Sequence, residues 1–425
     1  MPCVYRMARA KSVLIQTGEV TMPTRSVRDI DCQGKRVLIR VDFNVPLDDT
    51  GAILDDRRIA AALPTIQYVL KGGGIAVVMS HFGRPAGTGF EQEYTLFPVA
   101  ERLQSLLGDK HPVHFVSGAC VGDAVTAAVS SASPGEVVLL DNLRFEPGEK
   151  SNDASFGAAV ALLGDAYVND AFGTSHRAHA SMVAVPQAMS RAPRVAGLLL
   201  EKELHFLSDT LADPKRPFAA ILGGAKVSDK LATIENLLPR VDAIFVGGAM
   251  AYTFLHAAGE AIGESLLEED MVPTARLLLE ESANSSTEIV LPTDHQCAER
   301  IEANAKVRIC ELGIPKGWMG LDIGPETEAA WRGRLLNMKT VIWNGPVGVF
   351  EQPPFDHGTI GIAKTLAQAT HKHHAVTVIG GGETAAAVQA AGVADRLSHV
   401  STGGGASLRM LEGADLSGLD ALETI

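Results

Sequence analysis

The chain has 425 residues and a formal net charge of −13, and 46% of its residues are hydrophobic, 20% charged and 5% aromatic. This length exceeds what a single hydrophobic core usually serves, so two domains are expected, and the composition is typical of a soluble α/β enzyme, not of a disordered or fibrous chain. The acidic balance argues against a general nucleic-acid or membrane-surface binder. An anionic substrate would therefore need a local basic pocket.

The N-terminal residues and the cysteines bear on the compartment. Residues 1–21 lack the apolar core of a secretory signal, and no stretch approaches the roughly 18 apolar residues that span a bilayer. The five cysteines form no C-x-x-C pair, which favours a reduced, cytoplasmic compartment. Met22 opens a stretch that resembles a natural N-terminus, so we expect residues 1–21 to be an extension without fixed structure.

Short apolar runs alternate with helical patterns along the chain. Strands are predicted at 36–41, 74–80, 136–141, 165–170, 218–222, 243–247, 288–292, 340–345 and 375–381. Amphipathic segments between them, such as 97–108 and 274–285, predict helices, and 194–207 has a helical pattern suited to a stiff connection. The alternation predicts parallel sheets with right-handed crossovers and helices on both faces.

The strands of the two halves end in different residues. In the first half they run into polar segments such as "VDFNVP" and "SHFGRP", and in the second half into glycines, as in "ILGGAK" and "VIGGGE". Ligands of open α/β sheets bind at the carboxyl ends of the strands. One half therefore offers side chains and the other offers backbone amides, which predicts two ligands, one in each domain.

Seven polar side chains follow the strands of the first half: Asp42, Asn44, Arg58, His81, Arg84, Arg144 and Arg177. The planar guanidinium suits phosphate and carboxylate oxygens, so this set predicts an anion pocket. The alternative for any single arginine is a surface ion pair with a nearby acid. Four arginines after successive strands make that alternative weak for the set.

The segment "PFAAILGGAKVSDKLATIENLL" (217–238) suggests a phosphate site in the second half. An apolar strand stops at Gly223 and Gly224, and Lys226 and Lys230 follow four residues apart. The leucine spacing beyond them predicts a helix with both ammonium groups on one face of its first turns. Bare backbone and two cations at a helix start suit phosphate, although such glycines also arise where a helix packs closely on its sheet.

Other second-half motifs are compatible with a nucleotide. The glycines at 247–248, 380–382 and 403–405 can form the floor of a site, and each alone is also typical of packing or a turn. The turn "WNGPVGVFE" (343–351) can hold a ribose or purine, or be a plain loop. Glu383 is a candidate partner of nucleotide-bound Mg²⁺, or an acid in a helix first turn.

Eight segments occur in the order seen in phosphoglycerate kinases: "RVDFNVP", "SHFGRP", "LDNLRFEPGE", "YVNDAFGTSHRAHAS", "LGGAKVSDK", "WNGPVGVFE", "GGGET" and "STGGGAS". The chain resembles this family over roughly residues 22–425. The resemblance implies two doubly wound, Rossmann-like domains joined by a helix, with an active-site cleft between them. The 3-phosphoglycerate domain is expected at 22–190, the helix at 191–207 and the nucleotide domain at 208–407, with 408–425 packing back on the first domain.

The resemblance also implies roles for individual residues. The seven polar side chains of the first half are similar to the family's 3-phosphoglycerate site, and Arg58 and Lys226 to the cations that flank the transferring phosphoryl group. The nucleotide contacts are expected at Gly224, Lys226, Lys230, Gly247, Leu321, Asn344, Pro346, Glu351, Gly380, Gly381, Gly382, Glu383 and Thr384. The amides of Gly403, Gly404 and Gly405 are expected to stabilise phosphate.

The implied activity is reversible phosphoryl transfer between 1,3-bisphosphoglycerate and Mg–ADP, by a cytoplasmic monomer. Three features depart from the family pattern: residues 1–21 are unmatched, Glu383 stands where aspartate is frequent, and Ala249 stands where a third glycine is common. Two other classes of protein share some of these features. A nicotinamide dehydrogenase would carry G-x-G-x-x-G after a strand, which this sequence lacks. A non-catalytic nucleotide-binding protein would not need the arginines of the first half.

Overall fold

The computed structural model describes residues 24–303 and 305–424, so the predicted extension at 1–21 lies outside the described residues. The β-strands in this part of the chain are β1 (Arg36–Val41), β2 (Ile75–Met79), β3 (Val113–Val116), β4 (Val137–Leu140), β5 (Ala166–Asp170), β6 (Arg194–Ala196), β7 (Phe218–Leu222), β8 (Ala243–Val246), β9 (Glu288–Val290), β10 (Asp294–Ala298), β11 (Arg308–Glu311), β12 (Met319–Ile323), β13 (Thr340–Asn344), β14 (Val376–Gly380) and β15 (His399–Val400).

The α-helices of the same residues are α1 (Arg57–Lys71), α2 (Phe97–Leu107), α3 (Asp123–Ser131), α4 (Pro147–Lys150), α5 (Ala154–Ala161), α6 (Ala184–Ala188), α7 (Leu198–Leu204), α8 (Thr210–Ala212), α9 (Leu231–Leu237), α10 (Met250–Ala257), α11 (Val272–Ala283), α12 (Pro325–Leu335), α13 (His357–His373), α14 (Gly382–Ala390), α15 (Gly404–Leu411) and α16 (Ser417–Asp420).

Two six-stranded parallel sheets organise the two halves. The strand order is β3-β4-β2-β1-β5-β6 in the first sheet and β15-β14-β13-β7-β8-β9 in the second. The central strands are buried along their length because helices cover both faces of each sheet. The predicted α/β fold with two doubly wound sheets is confirmed, and all nine predicted strands are present within a residue or two of their predicted bounds.

The core extends across the connection between the sheets. One cluster of buried side chains covers one face of the first sheet, and another covers one face of the second. A third and larger cluster includes Leu38 of β1 and Leu222 of β7, together with Leu200 and Leu207 of the connecting segment. The connection is therefore packed against both sheets rather than exposed between them.

The connecting segment differs from the helix predicted for 194–207. Arg194–Ala196 form β6, which pairs in parallel with β5, and the helix begins only at Leu198, after Gly197. Its last turn widens into a π-helix at His205–Asp209. The pattern of apolar residues did not distinguish an edge strand from the first turn of a helix, because three residues are too few to define a period.

Three strands that the sequence analysis missed form a separate antiparallel sheet, in the order β11-β10-β12. Central β10 consists of "DHQCA", and its polar side chains are buried. Asp294 explains part of this burial, because its carboxylate accepts hydrogen bonds from Glu326 N and Thr327 N at the start of α12. The short edge strands β3 and β15 were also missed.

The C-terminal residues lie against the first half. Thr24 and Thr424 form an antiparallel bridge, the Arg25 guanidinium pairs with the Glu423 carboxylate at 2.8 Å, and Gly418 N donates to Ser175 O at 2.8 Å. Residues 418–424 thus return to the half in which the chain began, whereas the predicted domain bounds, including the segment 408–425, stay predictions. None of the described helices is long and apolar enough to cross a membrane.

Candidate active site

The end of β1 brings the first predicted residues together. Arg58, in the first turn of α1, donates from Nη1 to Asp42 Oδ2 at 3.0 Å. Asn44 Oδ1 accepts from Gly83 N at 2.8 Å, which joins the loop after β1 to the loop after β2. Because parallel strands end at one edge of the sheet, loops that are far apart in sequence meet here.

His81 lies buried beside this loop and is linked to an arginine that the sequence analysis missed. Arg40 Nη2 lies 3.2 Å from His81 Nδ1, and since a guanidinium only donates, Nδ1 is the acceptor. Burial and then the charges of Arg40, Arg144, Arg177 and Arg58 lower the pKa of His81 well below its usual value. The imidazole is therefore neutral at pH 7, with its proton on Nε2.

Arg40 is fully buried within β1 and belongs to a hydrogen-bonded chain. Its Nε donates to Ser181 Oγ at 2.8 Å, and Ser181 Oγ donates to Glu149 Oε1 at 2.6 Å. Glu149 is also fully buried, so its carboxylate offsets the charge of Arg40 through one hydroxyl. The signal in the sequence was an arginine inside the otherwise apolar run "RVLIRV".

Arg144 and Arg177 add like charge to the same region. Burial, followed by the charges of Arg177 and Arg40, lowers the pKa of Arg144 to about 10. Arg144 Nη1 donates to Gly83 O at 2.6 Å, while its buried Nε has no hydrogen-bond partner in the described part of the chain. Arg177 Nε lies 3.3 Å from His176 Nε2. Buried cations with an unpaired donor are typical of an anion-binding site.

Arg84 differs from the other arginines of the set. It is exposed, and among the residues that the structure describes it has no hydrogen bond or ion pair. It follows Gly83, whose carbonyl and amide are held by Arg144 and Asn44 as described above. The structure thus brings six of the seven predicted side chains into contact or mutual electrostatic range, and leaves Arg84 at the rim.

Glycines connect this basic region to the second half. A Cβ on Gly173 would lie 3.1 Å from Asp42 Oδ2 and 3.2 Å from Gly403 Cα. A Cβ on Gly404 would lie 2.8 Å from Gly382 N, at the start of α14. Backbone of the two halves therefore approaches closely beside Asp42, and this contact is continuous with the N-terminus of α14. The predicted phosphate-stabilising glycines lie between the two groups of predicted site residues.

The loops after β13 and β14 surround Lys230. Its Nζ donates to Asn344 Oδ1, whereas Asn344 Nδ2 is buried and lacks a partner among the described residues. Gly345 N donates to Thr384 Oγ1 at 2.7 Å, and a Cβ on Gly380 would lie 3.1 Å from Asn344 Nδ2.

Burial lowers the pKa of Lys230, while the charges of Glu383, Asp229 and Glu412 oppose that shift.

A cavity of about 480 Å³ opens beside these loops. Five of the predicted nucleotide contacts line it: Gly224, Leu321, Pro346, Glu351 and Glu383. Met319 of β12 and Val349 add apolar surface, and neither was among the predicted contacts. Gly247 instead packs on Val347, where a Cβ would approach the valine side chain at 2.7 Å. The volume and the apolar part of the lining suit an aromatic ring, and acidic side chains also line the cavity.

The spacing predicts both lysines on one face of a helix, and this prediction is wrong. The helix α9 begins only at Leu231, so Lys226 lies in the preceding loop, where it is exposed. The Glu268 carboxylate accepts from Val227 N at 2.5 Å and Ser228 N at 3.2 Å. These bonds to a residue forty positions away hold the segment out of the helix, and no local pattern records them.

Comparison with known proteins identifies a family. A profile described as Phosphoglycerate kinase matches residues 27–414. The phosphoglycerate kinase of Thermosipho africanus is 48% identical over 403 residues, covering 94% of this chain and 98% of that protein. The phosphoglycerate kinase of Rhodopirellula baltica is 50% identical over 405 residues, covering 95% of this chain and 100% of that protein.

Solved structures give the same result. The phosphoglycerate kinase from Coxiella burnetii has a TM-score of 0.84 and 36% identity to this chain, covering 94% of this chain and 98% of that one. That from Pyrococcus horikoshii has a TM-score of 0.78 and 30% identity at the same coverage. Family profile, sequence relatives and fold agree over nearly the whole length. The chain belongs to the phosphoglycerate kinase family.

Proposed function

We propose that the protein transfers a phosphoryl group reversibly between the acyl phosphate of 1,3-bisphosphoglycerate and Mg–ADP, giving 3-phosphoglycerate and ATP. The observation that carries this proposal is the position of Asp42, which pairs with Arg58, lies within electrostatic range of the buried Arg144 and stands beside the point where Gly173 meets Gly403. Such an arrangement suits a reaction in which both ligands are polyanions. Membership of the family supports phosphoglycerate and a nucleotide as the substrates.

The triose is proposed to bind in the first half. Neutral His81 would donate from Nε2 to an anionic oxygen, and Arg144 and Arg177 would receive the 3-phosphate together with Arg84. Asp42 and Asn44 would orient the acceptor end, Asp42 through its bond to Arg58. The unpaired Arg144 Nε is the donor that this ligand would satisfy.

The nucleotide is proposed to bind in the second half. The adenine would enter the cavity lined by Leu321 and Pro346, with Glu351 at its edge near the ribose. The phosphates would lie along Gly224, Gly380–Gly382 and Thr384, close to Lys230 and the unpaired Asn344 Nδ2. Backbone N–H groups at the start of α14 suit an anion because the helix dipole adds positive potential.

The chemistry needs alignment and charge neutralisation rather than a general base. In the ATP-consuming direction the nucleophile is a carboxylate, which is already ionised at pH 7. Arg58 from the first half and Lys226 from the second would flank the transferring group, and the amides of Gly403–Gly405 would stabilise its equatorial oxygens. No water-activating residue is required, and exclusion of water protects the acyl phosphate.

Mg²⁺ is proposed to arrive with the nucleotide and to neutralise its phosphate charge. The ion usually keeps several waters and binds one or two carboxylates together with substrate phosphates. Glu383 fits this role, because it is exposed at the start of α14, lines the proposed nucleotide cavity, and its charge opposes the lowering of the Lys230 pKa by burial. We further propose that the protein acts as a cytoplasmic monomer in glycolysis, gluconeogenesis or carbon fixation.

A coupled assay tests the proposal. Purified protein is incubated with Mg–ATP and 3-phosphoglycerate, and ADP production is measured, with glycerate and 2-phosphoglycerate as control acceptors. We expect turnover that depends on both Mg²⁺ and 3-phosphoglycerate. Nucleotide binding without turnover would instead favour a non-catalytic binding protein, and oxidation coupled to a nicotinamide cofactor would favour a dehydrogenase.

A further inference from the structure

The loop that carries Lys226 has one backbone hydrogen bond of its own, from Lys230 N to Val227 O at 2.9 Å, and in the described part of the chain neither the N–H nor the C=O of Lys226 forms a backbone hydrogen bond. β7 ends at Leu222 and α9 begins at Leu231, so residues 223–230 lie outside regular structure. Lys230 occupies the N-cap position of α9, and its side chain makes no capping hydrogen bond. Val227 is fully buried in the large core cluster, whereas Lys226 beside it is exposed. The local turn bond ends at Val227 O, so the peptide unit between Lys226 and Val227 has no support from within the loop.

Glu268 supplies that support with both of its carboxylate oxygens. Its Oε2 accepts from Val227 N at 2.5 Å and from Ser228 N at 3.2 Å, and its Oε1 accepts from Ser228 Oγ at 2.6 Å. Bonds to an ionised acceptor are about twice as strong as neutral ones. The acceptor is itself anchored, because Glu268 N donates at 3.2 Å to Oγ1 of the buried Thr253 on α10.

The first of these bonds acts directly on Lys226. The N–H of Val227 and the C=O of Lys226 belong to one planar peptide unit, so a bond to that N–H sets the rotation of the unit. Rotation of this unit changes ψ of Lys226 together with φ of Val227. These two angles set the direction of the backbone between the two residues. Because Val227 is held in the core, fixing this rotation also fixes the position of the Lys226 Cα atom and the direction of its Cα–Cβ bond.

We infer that Glu268 is a positioning residue for Lys226: it holds the 225–229 loop in the conformation that presents the ammonium group to the transferring phosphoryl. The inference rests on the proposed function, because it takes the role of Lys226 from it. Glu268 contacts the loop backbone and the Ser228 hydroxyl rather than the reacting atoms. Its loss is expected to lower the rate of transfer and to leave the triose site unchanged.

The test is a double-mutant cycle on the full-length chain in the Mg–ATP and 3-phosphoglycerate assay. The variants are Glu268→Ala, Glu268→Gln, Lys226→Ala and Glu268→Ala with Lys226→Ala. Glu269→Ala is the matched control, because it removes an adjacent, exposed carboxylate and so changes the net charge equally. Glu268→Gln keeps the side-chain length and one acceptor oxygen, so it reports on the site where the alanine variant fails to fold.

We expect Glu268→Ala to lower kcat about tenfold or more, since misplacement of a catalytic group by an ångström is that costly. Glu268→Gln should lie between it and the wild type, and Glu269→Ala should equal the wild type. The KM for 3-phosphoglycerate should not change. In the Lys226→Ala background, loss of Glu268 should have less than a twofold further effect, because the two residues act as one unit.

A normal kcat in Glu268→Ala or Glu268→Gln, measured in a chain whose wild type is active, would overturn the inference and leave the proposed function intact. An effect of Glu268→Ala that is just as large without Lys226 would also overturn it, since Glu268 would then act through another group. An inactive wild type contradicts the proposed function itself, and this inference with it.

Discussion

The two halves of the molecule bring positive potential to the site by different means. The first half uses side chains, and it buries Arg40 and most of Arg144 to do so. The second half uses chiefly backbone amides, and its two lysines lie in or beside a loop. Buried like charges repel each other, so the first half also carries the buried Glu149 and Ser181 that hold Arg40 in place. Backbone amides need no such counter-charge, but they need loops whose backbones can approach each other without side chains between them.

Space is what the glycines of the second half provide. A Cβ on Gly223 would lie 2.1 Å from Pro346 O, and one on Gly248 would lie 2.6 Å from Gly224 N. Three loops thus touch through their backbones, and side chains are excluded from the contact. The proposed triose site is therefore built from paired side chains, whereas the proposed site for the nucleotide phosphates is built from closely packed backbone.

The largest effect on activity is expected from substitutions that remove one cation from either half. Arg58→Ala and Lys226→Ala should each lower kcat by about 10²-fold or more, because a preorganised charge at the transition state is worth several kcal/mol. Arg57→Ala is the control, since Arg57 is the exposed neighbour of Arg58 and pairs with Asp55. Steady-state kinetics and thermal unfolding of all three variants are the measurements. A near-normal kcat in either site variant would contradict its proposed role.

A second comparison separates glycines that make room for the fold from glycines that face a ligand. Gly223→Ala should lower the free energy of unfolding by about 3 kcal/mol, because the added methyl group meets the Pro346 carbonyl. A Cβ at Gly382 meets nothing within 4 Å, so Gly382→Ala should leave stability unchanged. Its effect should appear only as weaker Mg–ADP binding, measured by calorimetry. Equal affinity in Gly382→Ala and the wild type would remove Gly382 from the nucleotide site.

The connection between the halves yields a third prediction, which concerns pH. Asp170 ends β5, and its Oδ1 accepts from Leu199 N at 2.9 Å and Leu200 N at 3.3 Å at the start of α7. Burial raises the pKa of Asp170 from 3.8 to about 7. At a pH between these two pKa values, Asp170 is protonated in the folded chain and ionised in the unfolded chain. The free energy of unfolding therefore falls as the pH rises.

From pH 5.5 to 7.5 this group should remove about 2 kcal/mol of stability. Asp170→Asn keeps an oxygen for the two N–H donors and cannot titrate, so its urea unfolding should lack that part of the pH dependence. The comparison is the difference between the two proteins at each pH, because the histidines titrate equally in both. Parallel stability curves for the wild type and Asp170→Asn would show that Asp170 is ionised when folded.

How much of this the sequence foretold depends on the kind of contact involved. Buried parallel strands are continuous apolar runs, so all nine predicted strands exist. β10 was missed because its buried polar side chains are satisfied by distant partners, as Asp294 is by the start of α12. Arg40 and the loop of Lys226 were misjudged for the same reason: their partners, Ser181 and Glu268, lie far along the chain.

The smallest expected effect concerns motion of the two halves. Direct transfer needs reacting atoms about 3–3.5 Å apart, and water must be kept from the acyl phosphate. With the proposed triose site in one half and the proposed nucleotide site in the other, both demands are met only if the halves close on the bound ligands. We expect the movement near 185–207 and 401–405, where Glu203 of α7 accepts from Thr402 N at 2.8 Å and pairs with His399.

Each ligand alone contacts mainly one half, so it should shift the closing equilibrium only in part, whereas both together favour the closed form by their combined differential contacts. Small-angle X-ray scattering measures this with 3-phosphoglycerate, a non-hydrolysable Mg–nucleotide, and both. The radius of gyration should fall by a few per cent in the ternary mixture and by less with either ligand. Arg58→Ala should reduce the ternary change if Arg58 joins the halves through the transferring group. A radius of gyration that stays constant at saturating ligand would exclude closure of the two halves from the proposed mechanism.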